Sequence, residues 1–249
     1  MPILAHQSLP AVRDARYTVA VLPWGATEAH NLHLPYGTDT IQAERVAIES
    51  ARRAEAQGTM VAVLPAVPFG VNTTQLDIPL TLNVMPTTQL AVLRDLVEAL
   101  EGQGIRKLVI VNGHGGNDFK WMIRELQPRT SLFLCTLNWW QVVDPTGFFD
   151  DLGDHAGELE TSVMMAIAPE VVRPLDEARP WAVQALREGW VWAPRRWTKV
   201  TDDTGIGNPK AATAAKGARF FEAVCEKLAA FLVELERSDV DRHPTTDAV

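Results

Sequence analysis

Four short apolar runs along the chain predict buried β-strands. They are rich in Val, Leu and Ile and show little alternation of apolar and polar positions, which is typical of parallel strands covered on both faces. Such strands need helices on both sides of the sheet. The predicted strands comprise residues 18–23, 60–66, 107–111 and 132–137.

Between the apolar runs lie segments with the hydrophobic spacing of helices. The first two end before Gly58 and Gly104, and the second begins just after Pro86, as helix start and stop signals require. Strands that alternate with helices form right-handed βαβ units, so we predict an α/β fold with a doubly wound, mainly parallel sheet. The predicted helices comprise residues 40–57, 88–103, 117–126, 157–168 and 209–237.

The chain shows no internal repeat and no linker that would divide it. We therefore predict a single domain over residues 1–240, followed by a loose C-terminal tail over residues 241–249. Residues 171–208 are rich in Pro, Trp and Arg and lack periodicity, which predicts an irregular surface excursion.

The composition of the chain argues against several classes of binding partner. The 249 residues carry a formal net charge of -8, which disfavours nucleic acid and anionic membranes because both attract basic surfaces. Two cysteines give no disulfide framework. The N-terminus lacks the basic start and apolar core of a signal peptide, and no run approaches the length of a membrane span. We expect a cytoplasmic protein that acts on a small molecule.

Three polar clusters follow predicted strands or open the helices after them. In an open α/β sheet, ligand sites gather outside the carboxyl ends of the strands. Four of the six histidines lie in these clusters, and the mixture of imidazole and carboxylate suits a divalent metal ion. The clusters are GATEAHNLHLPYGTD with Glu28, His30, His33 and Asp39, NGHGGND with His114, and GDHAGELETS with Asp154, His155, Glu158 and Glu160.

Each cluster alone also has a structural interpretation. Thr38 or Asp39 could cap the helix predicted from residue 40, and Asp154 could cap the helix predicted from residue 157. The sequence NGHGGN could form a tight turn or a phosphate loop, although the dinucleotide fingerprint is missing. Only the joint occurrence of the three clusters favours a metal site.

In their order and spacing, GATEAHNLHLPYGTD, VNGHGGN and DHAGELETS resemble the signature of the creatininase (creatinine amidohydrolase) family. The resemblance covers roughly residues 19–168. It implies a three-layer α/β/α fold, two divalent metal ions per subunit (zinc foremost, with manganese, iron or cobalt as alternatives) and hydrolysis of amide C–N bonds in small, often cyclic substrates. Relatives act on formamides, peptide-like substrates or cyclic diketones. The resemblance also implies a homo-oligomer, often a hexamer.

The family pattern assigns the metal ligands by position. Glu28, Asp39 and His114 would hold one ion, and His30, Asp39 and an acidic residue the other. Creatininase itself has a glutamate two positions after the histidine of the NGH motif, where this chain has Gly116. Other members use the first glutamate of HAGE, which assigns Glu158 as the metal ligand here. This departure argues against creatinine as the substrate.

The resemblance also implies a mechanism. A hydroxide that bridges the two ions would attack the substrate carbonyl, and His155 would protonate the leaving nitrogen. We expect Glu160 and Asp154 to orient other site groups, and His33 either to do the same or to contact substrate. Other candidates for the pocket are Asn72, Thr73, Gln75 and Asp77 in one loop, and Trp139 and Trp140, which could instead form packing contacts.

The sequence is also compatible with three other functions. The same water and metals could cleave a C–C bond in a cyclic diketone. The glycine-rich loops could belong to a nucleotide-binding oxidoreductase, which would bind a cofactor without metal. The metal ions could also serve a non-catalytic scaffold, which would hydrolyse no amide.

Overall fold

A computed structural model describes residues 2–174, 194 and 196–239. Its centre is a parallel sheet of four strands in the order β2-β1-β3-β4. All four predicted strands are present, and the predicted α/β class with a mainly parallel sheet is confirmed. The strands are β1 (Val19–Trp24), β2 (Val61–Val63), β3 (Lys107–Asn112) and β4 (Phe133–Asn138).

Five helices match the predicted helical segments to within a few residues, and a short N-terminal helix was not predicted. The segment predicted as a helix from residue 209 begins instead with a 3-10 turn, Pro209–Ala211, before Thr213 caps the long C-terminal helix. The helices are α1 (Leu9–Ala15), α2 (Thr38–Ala56), α3 (Pro86–Gly102), α4 (Phe119–Leu126), α5 (Glu158–Ile167) and α6 (Ala214–Arg237).

Alternate residues of the strands belong to two separate hydrophobic cores, one on each face of the sheet. Val21 and Val109 pack with residues of α2, α5 and α6. Leu22 and Ile110 point the other way and pack with residues of α3 and α4. Because both faces are covered, the strands are apolar throughout, and the arrangement has the three layers of an α/β/α fold.

The segment expected to be irregular, residues 171–208, lies partly outside the described residues, and the predicted tail over residues 241–249 lies wholly outside them. The described part contains the 3-10 turn Trp197–Lys199 and a loop that packs against the site. Among the described residues, no helix is both long and apolar enough to cross a bilayer.

Candidate metal centre

The loop after β1 and the first turn of α2 supply the first cluster. Glu28 is anchored by its backbone N–H, which donates to Tyr36 O, and the turn at His30 is closed by Leu34 N. Helix α2 begins at Thr38, and its N-cap Gly37 makes no side-chain cap. The interpretation of Thr38 or Asp39 as the cap is therefore wrong. Asp39 points from the first helical turn into the site.

The second cluster follows β3, where backbone crowding brings two elements together. A Cβ atom on Gly113 would lie 2.3 Å from Asp39 O, so only glycine lets the end of β3 approach α2 this closely. Asn112 then holds the loop, because its side chain accepts from His114 N at 3.1 Å and donates to His114 O at 2.9 Å. The NGH sequence thereby sets the position of the histidine.

The three loops bring their histidines and acids into direct contact. His114 Nδ1 lies 2.9 Å from Glu28 Oε1 and 3.0 Å from Asp39 Oδ2. His30 Nε2 lies 2.9 Å from Asp39 Oδ1. Asp39 therefore faces one histidine with each carboxylate oxygen, as a bridging ligand would.

All three site histidines bond a main-chain carbonyl with the outer ring nitrogen. His30 Nδ1 lies 3.1 Å from Glu28 O, His114 Nε2 3.1 Å from Val71 O and His155 Nε2 2.7 Å from Ala29 O. A carbonyl only accepts hydrogen bonds, so these nitrogens carry the proton. In the neutral ring the other nitrogen then presents its lone pair to the cluster, which is the arrangement of metal-ligating histidines.

Three groups of side chains have ligand atoms within 4.8 Å of one another. Five of the six participating residues are buried and Glu160 is half-buried, and together they offer three carboxylates and three imidazoles. This mixed set of nitrogen and oxygen donors fits divalent ions such as zinc or manganese. The groups are Glu28, Asp39 and His114; His30, Asp39 and Glu160; and Glu28, His30 and His155.

The charges of the site residues show that the cluster requires positive charge to neutralise its carboxylates. Burial alone would lower the pKa of His30, but Asp39, with help from Glu160 and Glu28, raises it to about 10. Burial is likewise outweighed at His114, whose pKa is raised well above its ordinary value by Glu28 and Asp39. Burial raises the pKa of Glu160. Without metal, the cluster is therefore neutralised by protons, which divalent cations can replace.

The structure places Glu160, rather than Glu158, beside His30 and Asp39. Glu158 is fully buried, but its Oε1 accepts from Lys216 Nζ at 2.5 Å and its Oε2 accepts from two backbone amides. Residues two apart at the start of a helix point about 200° apart, so only one of the two glutamates can face the cluster. This geometry favours Glu160 over Glu158 as the acidic ligand beside His30, and the assignment of a glutamate to the metal stays a prediction.

His155 lies against the cluster, as its sequence motif predicts. Its Nδ1 is 3.8 Å from Glu28 Oε1, and its ring packs against His30 at a tilt, with centroids 4.2 Å apart. The ring of Trp197 packs at 4.9 Å. Asp154 does not cap α5, whose N-cap is Gly157 without a side-chain bond.

A cavity of about 750 Å³ opens onto these groups, large enough for a small organic substrate. Of the predicted pocket residues, Asp77 lies outside it and accepts instead from Thr198 Oγ1. His33 is buried and its Nε2 lies 2.8 Å from Thr161 Oγ1, outside the three ligand groups. The predicted pocket residues that do line the cavity are Asn72, Thr73, Gln75, Trp139 and Trp140, and the cluster residues that line it are Glu28, Asp39, His114, Asp154, His155 and Glu160.

Two positions could not be assigned from the sequence. Asn117 accepts from Val71 N and donates to Gly25 O and to Asn112, so it ties His114's neighbours together. Trp197 lies in a segment without periodicity, 42 positions beyond His155 in the sequence. The second asparagine of NGHGGN is Asn117 itself, so this motif could have indicated it. No feature of the sequence indicated Trp197.

A sequence model of the family described as creatinine amidohydrolase matches residues 5–232. The chain belongs to the creatininase family. It is therefore a hydrolase, and the family resemblance that the three motifs predicted is confirmed.

Individual family members show the same relationship. A mycofactocin precursor peptide peptidase of Mycobacterium tuberculosis is 32% identical over 227 residues, which covers 83% of this chain and 81% of the relative. The crystal structure of a candidate creatinine amidohydrolase from Bacteroides fragilis is 45% identical, with a TM-score of 0.89, and covers 96% of this chain and 97% of that chain.

More distant structures share the fold. Creatininase in a manganese form has a TM-score of 0.79 at 21% identity and covers 95% of this chain and 99% of that chain. A creatininase variant in a zinc–zinc form has a TM-score of 0.78 at 23% identity, over 95% of this chain and 98% of that chain. Both family structures are named for divalent metals of the kind that this ligand set fits.

Proposed function

We propose that this creatininase-family hydrolase uses two divalent metal ions to cleave an amide C–N bond in a small substrate. The observation that carries the proposal is the largely buried cluster in which three histidines turn their inner ring nitrogens toward three carboxylates beside an open cavity. A structural metal site would be closed, whereas this one faces a space of about 750 Å³.

The ligands divide into two sets around a shared aspartate. Glu28 and His114 would hold the first ion, His30 and Glu160 the second, with Asp39 between them. Three carboxylates against two dications leave one positive charge, which a hydroxide would neutralise. When bound, two such ions lower the pKa of water toward neutrality and polarise a carbonyl oxygen.

His155 is positioned to handle the proton of the reaction. Its Nε2 is committed to Ala29 O, so Nδ1 is the ring atom that faces the cluster and the cavity. A proton on Nδ1 would pass to the leaving nitrogen when the C–N bond breaks, which converts a poor amide leaving group into a neutral amine. Packing against the rings of His30 and Trp197 keeps the ring in this orientation.

The substrate class rests on two arguments. The name of the Mycobacterium tuberculosis relative supports a peptide-like amide, and the family description supports a cyclic amide. Creatinine itself is disfavoured, because a Cβ atom on Gly116 would lie 2.3 Å from Val71 O and 2.4 Å from His114 Nε2. The loop is therefore built without the side chain that creatininase carries there.

A substrate panel tests the proposal. Zinc- or manganese-loaded protein is incubated with cyclic amides, N-formyl amines, short peptides and a cyclic 1,3-diketone, before and after metal removal by a chelator. We expect hydrolysis of at least one amide, its loss on chelation and its return with either metal. Cleavage of the diketone alone, amide hydrolysis that survives complete metal removal, or nicotinamide-cofactor binding without metal would contradict the proposal.

A further inference from the structure

Glu158 and Lys216 form an ion pair that joins three segments of the chain. Glu158 opens α5 and is fully buried, and Lys216 lies in the first turn of α6. Lys216 Nζ donates to Glu158 Oε1 at 2.5 Å and to Asp150 Oδ2 at 2.8 Å. The other oxygen of Glu158 accepts from the backbone N–H groups of Asp150 and Asp151 at 2.9 and 2.7 Å.

The loop held by these bonds forms part of the cavity wall. Leu152, Gly153 and Asp154 all line the cavity and directly follow the two amides that Glu158 binds. Asp151 Oδ1 accepts from Gly153 N at 3.3 Å, so the restraint extends into the wall itself. Movement of residues 150 and 151 would therefore change the shape of the cavity.

His155 is fixed independently of this ion pair. Its backbone exchanges hydrogen bonds with Ile206, at 3.1 Å from His155 N to Ile206 O and 2.8 Å from Ile206 N to His155 O. Its ring is held by Ala29 O and by the stacked rings beside it. Loss of the Glu158 bonds should loosen the wall while leaving His155 in place.

We propose that Glu158, held by Lys216, is a positioning residue that fixes the 150–153 part of the wall and thereby substrate binding in the cavity. The part of this inference that concerns substrate rests on the proposed function. Stability alone does not explain the pair, because an ion pair with a buried member can often be replaced by apolar groups of similar volume without loss of stability. A carboxylate that accepts from two loop amides, in contrast, has no apolar replacement.

Two double variants separate the effect of the hydrogen-bond acceptor at position 158 from the effect of the charges of the Glu158–Lys216 pair. In E158Q/K216M both charges of the pair are gone, but the glutamine oxygen can still accept from both amides. In E158L/K216M the charges and the acceptor are both gone, at similar side-chain volume. Arg53→Met serves as the stability control, because it removes a different ion pair of α6, between Arg53 and Glu222 at 2.6 Å.

Amide hydrogen exchange measured by NMR and steady-state kinetics test the inference. We expect the amides of Asp150 and Asp151 to exchange about tenfold faster in E158L/K216M than in E158Q/K216M, since the hydrogen bonds are lost. For the amide that wild type hydrolyses best, the KM of E158L/K216M should be about tenfold higher than that of E158Q/K216M. The kcat values of the two variants should agree within about twofold. Both variants should retain two metal ions per chain, and the Arg53 control should match wild type.

Equal exchange rates in the two double variants, or a KM that does not differ between them, would overturn the inference. The exchange measurement needs no substrate. If wild type hydrolyses no amide in the panel, the proposed function fails, and the exchange rates alone decide whether Glu158 holds the wall.

Discussion

Gln75 donates a hydrogen bond from its side-chain nitrogen to Oε2 of Glu28. This contact leaves Oε1, the oxygen that lies 2.9 Å from His114 Nδ1, to face the metal position. Gln75 is buried and lines the cavity, so it orients Glu28, a proposed metal ligand, beside that cavity. The sequence suggested Gln75 only as part of the pocket mouth.

Replacing Gln75 with leucine should weaken metal binding, because Glu28 loses the donor that orients it. We expect about a 10- to 100-fold lower metal affinity, measured by competition with a chromogenic chelator. Gln57→Leu is the matched control, since Gln57 is exposed on the surface. Unchanged affinity in the Gln75 variant would show that Glu28 needs no such support.

Gly116 and Gly115 form a second matched pair. A Cβ atom on Gly116 would come within 2.4 Å of His114 Nε2, whereas one on Gly115 would meet nothing within 4 Å. Gly116→Ala should therefore displace His114 from Val71 O and lower metal affinity by about tenfold or more, while Gly115→Ala should bind metal like wild type. Equal metal affinity of the two variants would show that the loop absorbs the clash.

Glu160 and Glu158 can be distinguished by metal content. Glu160→Gln keeps an acceptor for the backbone N–H of Ala156 but removes a charge beside His30 and Asp39. We expect it to lose or strongly weaken one of the two ions, measured by elemental analysis after dialysis. The double variant E158Q/K216M should keep both. The reverse pattern would restore Glu158 as the metal ligand.

Metal binding should release protons. The pKa of His30 is raised to about 10 without metal, so the ring is protonated at neutral pH, whereas a metal ion requires the neutral ring. A group with a raised pKa competes with metal more strongly as the pH falls. Affinity should therefore rise by up to about tenfold per pH unit for each histidine that loses a proton, between about pH 6 and pH 8.

Calorimetry in buffers of different ionisation enthalpy measures this release directly. Binding enthalpies that do not depend on the buffer would mean that no proton leaves. In that case the histidines would already be neutral before the metal binds.

The fold was largely predictable because it depends on local patterns. The apolar run at 107–111 and the glycine stops after α2 and α3 are properties of adjacent residues, and the structure reproduces them. Helix α1 was missed because its seven residues contain no buried position, so they show no amphipathic signal.

The site was predictable at the level of motifs but not of contacts. Glu28, His30, Asp39 and His114 converge because they follow strands whose carboxyl ends meet at one edge of the sheet. The choice between the two glutamates of HAGELE depends on Lys216, which is 58 residues from Glu158. Such a long-range contact leaves no local trace in the sequence.

Metal stoichiometry tests the central claim most directly. Purified protein is loaded with zinc or manganese, dialysed and analysed for metal and protein content, alongside the variant His114→Ala, which removes a ligand from only one of the two sets built on Asp39. The two-metal account predicts two ions per chain in wild type and one in the variant. One ion or none in wild type, or two in the variant, would contradict it.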